Sequence, residues 1–312
     1  FIANLVKQFY TMRSWIDLHS IMVCFSRSNT DKISDADIVI IGVPDESKSH
    51  AKRKGTSKGP DILRLASNES DFFERNGKII PILPMHGRLD NKHILDYGNV
   101  MREDLYQLVF DLVSNKKIPI VIGGDHSITT ITLQAIGDLY GKIELLYFDA
   151  HPDFVSSTRN YYGSVLTDSL ASIDFEKSML IGTRAAEAEE LENAYKVGLE
   201  VITPLDIEEL GILKISDKIR FKNNNGKKKY ISIDLDCLDP AFAPGVSLPS
   251  PCGLSSIDLI YLVKLAVATG IIGIDIVELS PDFDINNITA YLAARILLES
   301  IASMKINHGS KT

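Results

Sequence analysis

Two short stretches carry side chains whose types and spacing could do chemistry: Phe148-Asp149-Ala150-His151-Pro152-Asp153 and Ser232-Ile233-Asp234-Leu235-Asp236. In the first, Asp149, His151 and Asp153 recur at every second position. In the second, Asp234 and Asp236 do the same. A period of two sends alternate side chains to one side of an extended backbone, so each stretch predicts a row of ligand-type groups. Ionised carboxylates do not crowd together unless positive charge lies between them. A solvated loop acid would account for one such residue. Five in two alternating rows, with an imidazole among them, point instead to a pair of divalent cations.

The elements that must position these rows are readable around them. Each row closes an apolar run, Ile143–Tyr147 or Tyr230–Ile233, that reads as a buried strand. A third apolar run, residues 117–122, ends in Gly123-Gly124-Asp125-His126-Ser127. The two glycines suit a tight turn and a close approach to a ligand. Ser127 or Asp125 is a candidate cap for a helix over 128–140. His126 therefore stands at the same topological place as the acidic rows, and imidazole is a common ligand of first-row metals.

Further buried strands are expected at 37–43, 178–182, 199–203 and 271–277, with 78–83 as an edge strand because of Pro81. Helices are expected from Gly59-Pro60 onward and at 101–114, 185–197, 255–268 and 287–304. The residues Asp96–Val100 read as punctuation, and Lys222–Lys229 as a solvated basic turn. Strands and helices thus alternate along the chain. That predicts an α/β fold with a mainly parallel sheet of about eight strands, helices on both faces, and function at the C-terminal strand ends. Residues 1–35 read as an N-terminal extension, 36–306 as one domain and 307–312 as a tail.

Composition sets outer limits. The chain has 312 residues, 45% of them hydrophobic, which is ample for a large core. Its net charge of -8 argues against general nucleic-acid binding and is compatible with a cationic substrate. No apolar run is long enough to span a membrane. Cys24, Cys237 and Cys252 show no paired spacing, so reduced thiols in a cytoplasmic setting are expected.

Four motifs together resemble the ureohydrolase family of arginases, agmatinases and formiminoglutamases: Gly123–Ser127, Asp149–Asp153, Ser232–Pro240 and Asp275-Ile276-Val277-Glu278. The resemblance covers roughly residues 36–304. It implies the three-layer α/β/α arginase-type fold, two Mn2+ ions per chain and a homo-oligomer, trimer or hexamer. By resemblance Asp149 and Asp234 bridge both ions, His126 and Asp153 complete one site, and His151 and Asp236 complete the other. Glu278 matches the carboxylate that holds a guanidinium in place. Deacetylases of the same fold use one zinc and fewer of these acids, and fit poorly.

The resemblance implies hydrolysis of a small cationic guanidino substrate to urea and an amine. Ile181-Gly182-Thr183-Arg184 and the Gly42-Val43-Pro44 region look agmatinase-like. One departure matters. The family's hydrolases usually carry a proton-shuttling His before a Gly in the loop after the first acidic row, whereas here Tyr162 precedes Gly163. A phenol normally titrates near 10, so the shuttle role is either reduced or moved to His50 in the basic loop after the first strand. The missing His also keeps a formiminoglutamase-like or guanidino-acid hydrolase as an alternative. A metal-binding relative without turnover, acting as an assembly or regulatory subunit, is the non-enzyme alternative.

Overall fold

Runs of Ile, Val and Leu that are buried on both sides form the centre of the molecule. The computed structural model describes residues 23–222 and 228–306. In order the elements are β1 (Ile38–Gly42), α1 (Gly59–Ser70), β2 (Phe72–Arg75), β3 (Lys78–Pro81), β4 (Ile94–Asn99), α2 (Leu105–Ser114), β5 (Ile118–Ile122), α3 (Ile128–Tyr140), β6 (Glu144–Phe148) and α4 (Val165–Asp168). They continue as β7 (Met179–Ile181), α5 (Ala188–Lys196), β8 (Glu200–Ile202), α6 (Pro204–Leu210), α7 (Ile212–Lys222), β9 (Lys229–Asp234), α8 (Ser256–Ala268), β10 (Gly273–Val277) and α9 (Ile288–Ser303).

Eight strands make one sheet in the order β4-β1-β5-β10-β9-β6-β7-β8, with every neighbouring pair parallel. The two-residue period divides the core. Ile38, Ile40, Ile231 and Ile233 face a layer containing Leu63 of α1, Leu259 of α8 and Leu297 of α9. Val39, Ile41, Leu145 and Tyr230 face Val109 of α2, Ile136 of α3, Val165 of α4 and Ala194 of α5. Burial on both faces is what a parallel sheet requires, so the expected three-layer α/β/α architecture is present.

The expected eight strands differ in one member. The strand predicted at 78–83 is β3, which pairs antiparallel with β2 in a separate two-stranded hairpin. Its place at the sheet edge is taken by β4, where the sequence reads as punctuation. Asp96, Gly98 and Asn99 are turn-type residues, but here they serve a polar edge. Arg64 reaches across from α1 to both carboxylate oxygens of Asp96, at 2.8 Å each. The β1–β4 register shifts between Ile40 and Ile41, a bulge that accommodates the extra residue. Helices α6 and α7 carry no singled-out signal in the sequence. Of the basic turn 222–229, residues 223–227 lie outside the described residues, as do residues 1–22. Residues 23–35 pack on the domain, with Phe25 buried in the core and Arg27 stacked 4.5 Å over the Phe72 ring.

The strand order places function. β5 and β6 are separated by β10 and β9, which arrive last in the chain. The C-terminal ends of β5, β10, β9 and β6 therefore stand side by side. Each of the four carries one of the singled-out motifs, and a crevice outside such ends is where open parallel sheets bind ligands.

Candidate metal and substrate site

The turn after β5 is held by its own backbone and by the loop after β1. A Cβ on Gly124 would lie 1.9 Å from the carbonyl oxygen of Asp45. The glycine thus serves contact between two protein loops rather than the expected approach to a ligand. Asp125 accepts from the backbone N–H of Lys48 and of Ser127, both at 3.0 Å, and so fixes the turn from which His126 projects.

The two acidic rows are not extended, as their spacing suggests. Both bend by the same device. Asp149 Oδ1 accepts from the His151 N–H at 2.6 Å, and Asp234 Oδ1 accepts from the Asp236 N–H at 2.8 Å. Each first Asp turns the chain so that the group two residues on swings to its side. Asp153 adopts a left-handed φ of 50°, and the Tyr147 hydroxyl donates to its Oδ2 at 2.7 Å. Arg184 braces the second turn. Its guanidinium donates to the carbonyls of Gly182, Asp236, Leu238 and Pro251 at 2.8–3.1 Å.

These turns bring all six singled-out groups together. His126 Nδ1 lies 3.0 Å from Asp149 Oδ2, 3.2 Å from Asp153 Oδ2 and 3.2 Å from Asp234 Oδ2. His151 Nδ1 lies 3.1 Å from Asp236 Oδ2 and 3.5 Å from Asp149 Oδ1. The ligand atoms form two groups, His126-Asp149-Asp234 and Asp149-His151-Asp236, that share Asp149. Asp149 Oδ2 is buried without an aligned hydrogen bond. One ring nitrogen facing three carboxylates cannot satisfy them with a single hydrogen. This donor set of imidazoles and carboxylates, with an orphaned oxygen at its centre, fits divalent metal.

As a metal-free set the groups compete for protons. Burial raises Asp153 to about 7, with the Asp149 charge adding to it. Burial, Asp236 and Asp149 push Asp234 well above the carboxylate range. Burial opposes charge on His151, but Asp236 and Asp149 outweigh it and raise the ring to about 12. Burial also opposes ionisation of Asp149, but His126 and His151 overcome it and hold the carboxyl at about 2.

Glu278 follows β10 and is buried, with a left-handed φ of 65°. That backbone is uncommon for a residue with a side chain. It is held by the bond from Glu278 N–H to Gly124 O at 2.9 Å and by the His126 N–H, which donates to Oε1 at 2.9 Å. Ser247 donates to Oε2. Burial raises the Glu278 carboxyl to about 8. Glu278, Asp234, Asp236, His151, Tyr162 and Glu187 are among the residues lining a cavity of about 220 Å³, and among the described residues no Lys or Arg lines it.

Tyr162 stands on the wall of this cavity, and burial beside Glu278 and Asp153 raises its phenol to about 12. His50 is exposed and outside the lining. Its ring stacks on Tyr161 at 5.1 Å and meets Tyr162 edge-on at 6.1 Å. The structure therefore joins His50 to the tyrosine pair, not to the acidic cluster. Sequence reading passed over Tyr147, Ser247 and Arg184 as site residues. No spacing distinguishes the first two. Arg184 lies in a quoted motif, but nothing local shows that its guanidinium turns onto a distant loop.

Comparison with known proteins gives a consistent relationship. The arginase family profile matches residues 36–302. An agmatinase of Neisseria meningitidis serogroup C is 31% identical over 280 residues, covering 86% of this chain and 87% of the relative. An arginase of Brevibacillus brevis is 30% identical over 285 residues, covering 83% and 95%. The crystal structure of an agmatine ureohydrolase of Thermoplasma volcanium superposes with a TM-score of 0.76 at 29% identity, covering 92% of this chain and 97% of that one.

Two outcomes follow from the geometry. Groups that hold extra protons must release them before their lone pairs reach a cation. Calorimetric titration of metal-free protein with Mn2+, in buffers of different ionisation enthalpy, will show net proton release. The affinity will rise with pH through about 7, where Asp153 titrates. An affinity unchanged between about pH 6 and pH 8 contradicts the assignment. Replacing Arg184 by Met leaves its carbonyl partners without their donor. Denaturant unfolding should show a loss of about 2–4 kcal/mol, and an undiminished midpoint would show that the brace is dispensable.

Proposed function

Because the chain belongs to the arginase family, we propose that it hydrolyses the guanidino C–N bond of a small cationic substrate, agmatine-like, with two manganese ions. His126, Asp149, Asp153 and Asp234 would hold one ion, and His151, Asp236, Asp149 and Asp234 the other. When bound, such an ion pair supplies a nucleophilic water at neutral pH and stabilises charge on the oxygen that adds to carbon.

The observation that carries the reading is Glu278. A carboxyl buried beside the acidic cluster, and raised to about 8 by that burial, has no Lys or Arg paired with it among the described residues. A planar guanidinium supplies a positive charge, and its paired N–H groups match a carboxylate. Held there, the guanidino group would share the cavity with His151, Asp234 and Asp236, which lowers the entropic cost of bringing the reactants together. The bonds to Gly124, His126 and Ser247 keep Glu278 in place, and none of them brings a positive charge to it. Addition of water and cleavage of the C–N bond convert one guanidinium and one water into urea and an alkylammonium ion, so the leaving nitrogen must gain a proton. Tyr162, raised to about 12, retains its own proton at neutral pH. In this reading neither it nor exposed His50 delivers that proton at the family's usual rate.

The charge of the cavity supports a cationic tail over an acidic one. Glu187 and Glu190 line it together with Asp153, Asp234 and Asp236, and no Lys or Arg does among the described residues. A guanidino acid or formiminoglutamate would bring a carboxylate without a partner there. The Neisseria relative is named agmatinase, which accords with this preference.

Urea release by manganese-loaded protein, from agmatine and from 4-guanidinobutyrate, tests the proposal, with formamide release from formiminoglutamate as the third arm. Turnover of agmatine should exceed the other two. Preference for either acid, or no turnover of any, contradicts it. Glu278→Gln should keep both metals and lower kcat/KM for agmatine by about 10²-fold or more, the usual loss when one partner of a buried charged pair is removed. Parental turnover would remove Glu278 from the anchor role. His50→Ala should leave the rate and its pH profile unchanged, and a shifted profile would return His50 to the reaction.

A further inference from the structure

We propose that Asp275, acting through Ser232, fixes the His126 imidazole so that Nε2 carries the hydrogen and Nδ1 presents its lone pair to a metal ion. The inference rests on the reading of the acidic cluster as a metal site.

Asp275 is fully buried in β10. Its hydrogen bonds all come from hydroxyl groups. Ser232 donates to Oδ1 at 2.6 Å, and Thr129 and Tyr230 donate to Oδ2 at 2.9 Å each. β9 and β10 pair directly, with Ser232 opposite Asp275, so the sheet register sets this contact. Ser232 Oγ also lies 2.9 Å from His126 Nε2. A serine hydroxyl has one hydrogen. Given to Asp275, it leaves Ser232 only an acceptor toward the ring, and Nε2 must then be the donor.

The other side of the ring agrees. The Tyr147 ring stacks on His126 with centroids 4.8 Å apart and planes within 3°. Its hydroxyl hydrogen goes to Asp153 at 2.7 Å, so it offers none to His126 Nδ1 at 3.2 Å. Nδ1 is surrounded by Asp149, Asp153 and Asp234 oxygens. A lone pair pointing into that group is repelled by it unless a cation lies between them. The chain Asp275–Ser232–His126 therefore keeps the hydrogen on Nε2 and leaves Nδ1 to whichever cation lies among the three carboxylates, a proton in the metal-free site or a metal ion when one is bound. Metal-bound imidazoles are generally oriented by such a bond on their second nitrogen. Asp275 is a positioning residue here, since it touches neither the ligand atoms nor the cavity.

The test is Mn2+ binding by metal-free full-length protein, read from the electron paramagnetic resonance of free Mn2+, together with the rise in Tm on adding metal. The parental protein must bind the metal, and its failure to do so overturns the metal reading itself. Ser232→Ala should bind one of two ions about 10–100-fold more weakly, with a smaller metal-induced rise in Tm. Thr129→Val, which removes a donor from the other oxygen of Asp275 but leaves the chain to His126, should keep parental affinity. Should Ser232→Ala not fold, Asp275→Asn keeps the shape of the site and should show the weaker binding instead. Parental affinity in the folded Ser232 or Asp275 variant overturns the proposal. So does an equal loss in Thr129→Val, which would assign the effect to packing rather than to the ring.

Discussion

Four buried carboxylates, a buried imidazole and a half-buried one lie within a few ångströms of one another, and this arrangement is electrostatically untenable as a set of ionised acids. Asp149, Asp153, Asp234 and Asp236 are all nearly inaccessible to water. Desolvation and mutual repulsion drive some of them to hold protons, and the carboxylates beside the rings, against the burial that opposes it, draw protons onto the imidazoles. A pair of divalent cations would resolve this conflict, since it would neutralise the acids, give the orphaned oxygen of Asp149 a partner and let both rings be neutral.

The rest of the fold can be understood as what holds that unfavourable charge in place. A parallel sheet lets four chain segments that are distant in sequence end side by side, because β9 and β10 insert between β5 and β6. The strand interiors supply burial on both faces, which makes their ends rigid. Turns built on Asp149, Asp234 and Asp125 then aim the ligands with backbone hydrogen bonds, and Arg184 ties the Asp236 turn to the neighbouring loop. Two of the residues with left-handed backbone, Asp153 and Glu278, belong to the acidic cluster and to the cavity wall beside it.

Much of this was legible in the sequence. Apolar runs ending in His, Asp or Glu located the site at strand ends, and the two-residue spacing identified five of the groups that converge. The manner of convergence was not legible. Alternation implied extended rows, whereas the first Asp of each row caps an N–H two residues on and curls the chain. The edge strand β4 was hidden because Asp96 and Asn99 are turn-type residues, and only the approach of Arg64 from α1 makes them suit a strand. Ser232 and Asp275 lay inside quoted motifs, yet their relation to His126 depends on the β9–β10 register, which no local pattern encodes. The same holds for His50. Its loop follows the first strand, and its ring packs on Tyr161 and Tyr162, a contact that no local pattern encodes.

The account depends on the acidic cluster being a two-ion site. The most direct measurement is the metal content of manganese-loaded protein after gel filtration, by elemental analysis, together with anomalous scattering at the manganese edge from a crystal of the same material. Two ions per chain are predicted, one held by the group that contains His126 and one by the group that contains His151. A single tightly held zinc ion with no response to manganese would contradict this reading.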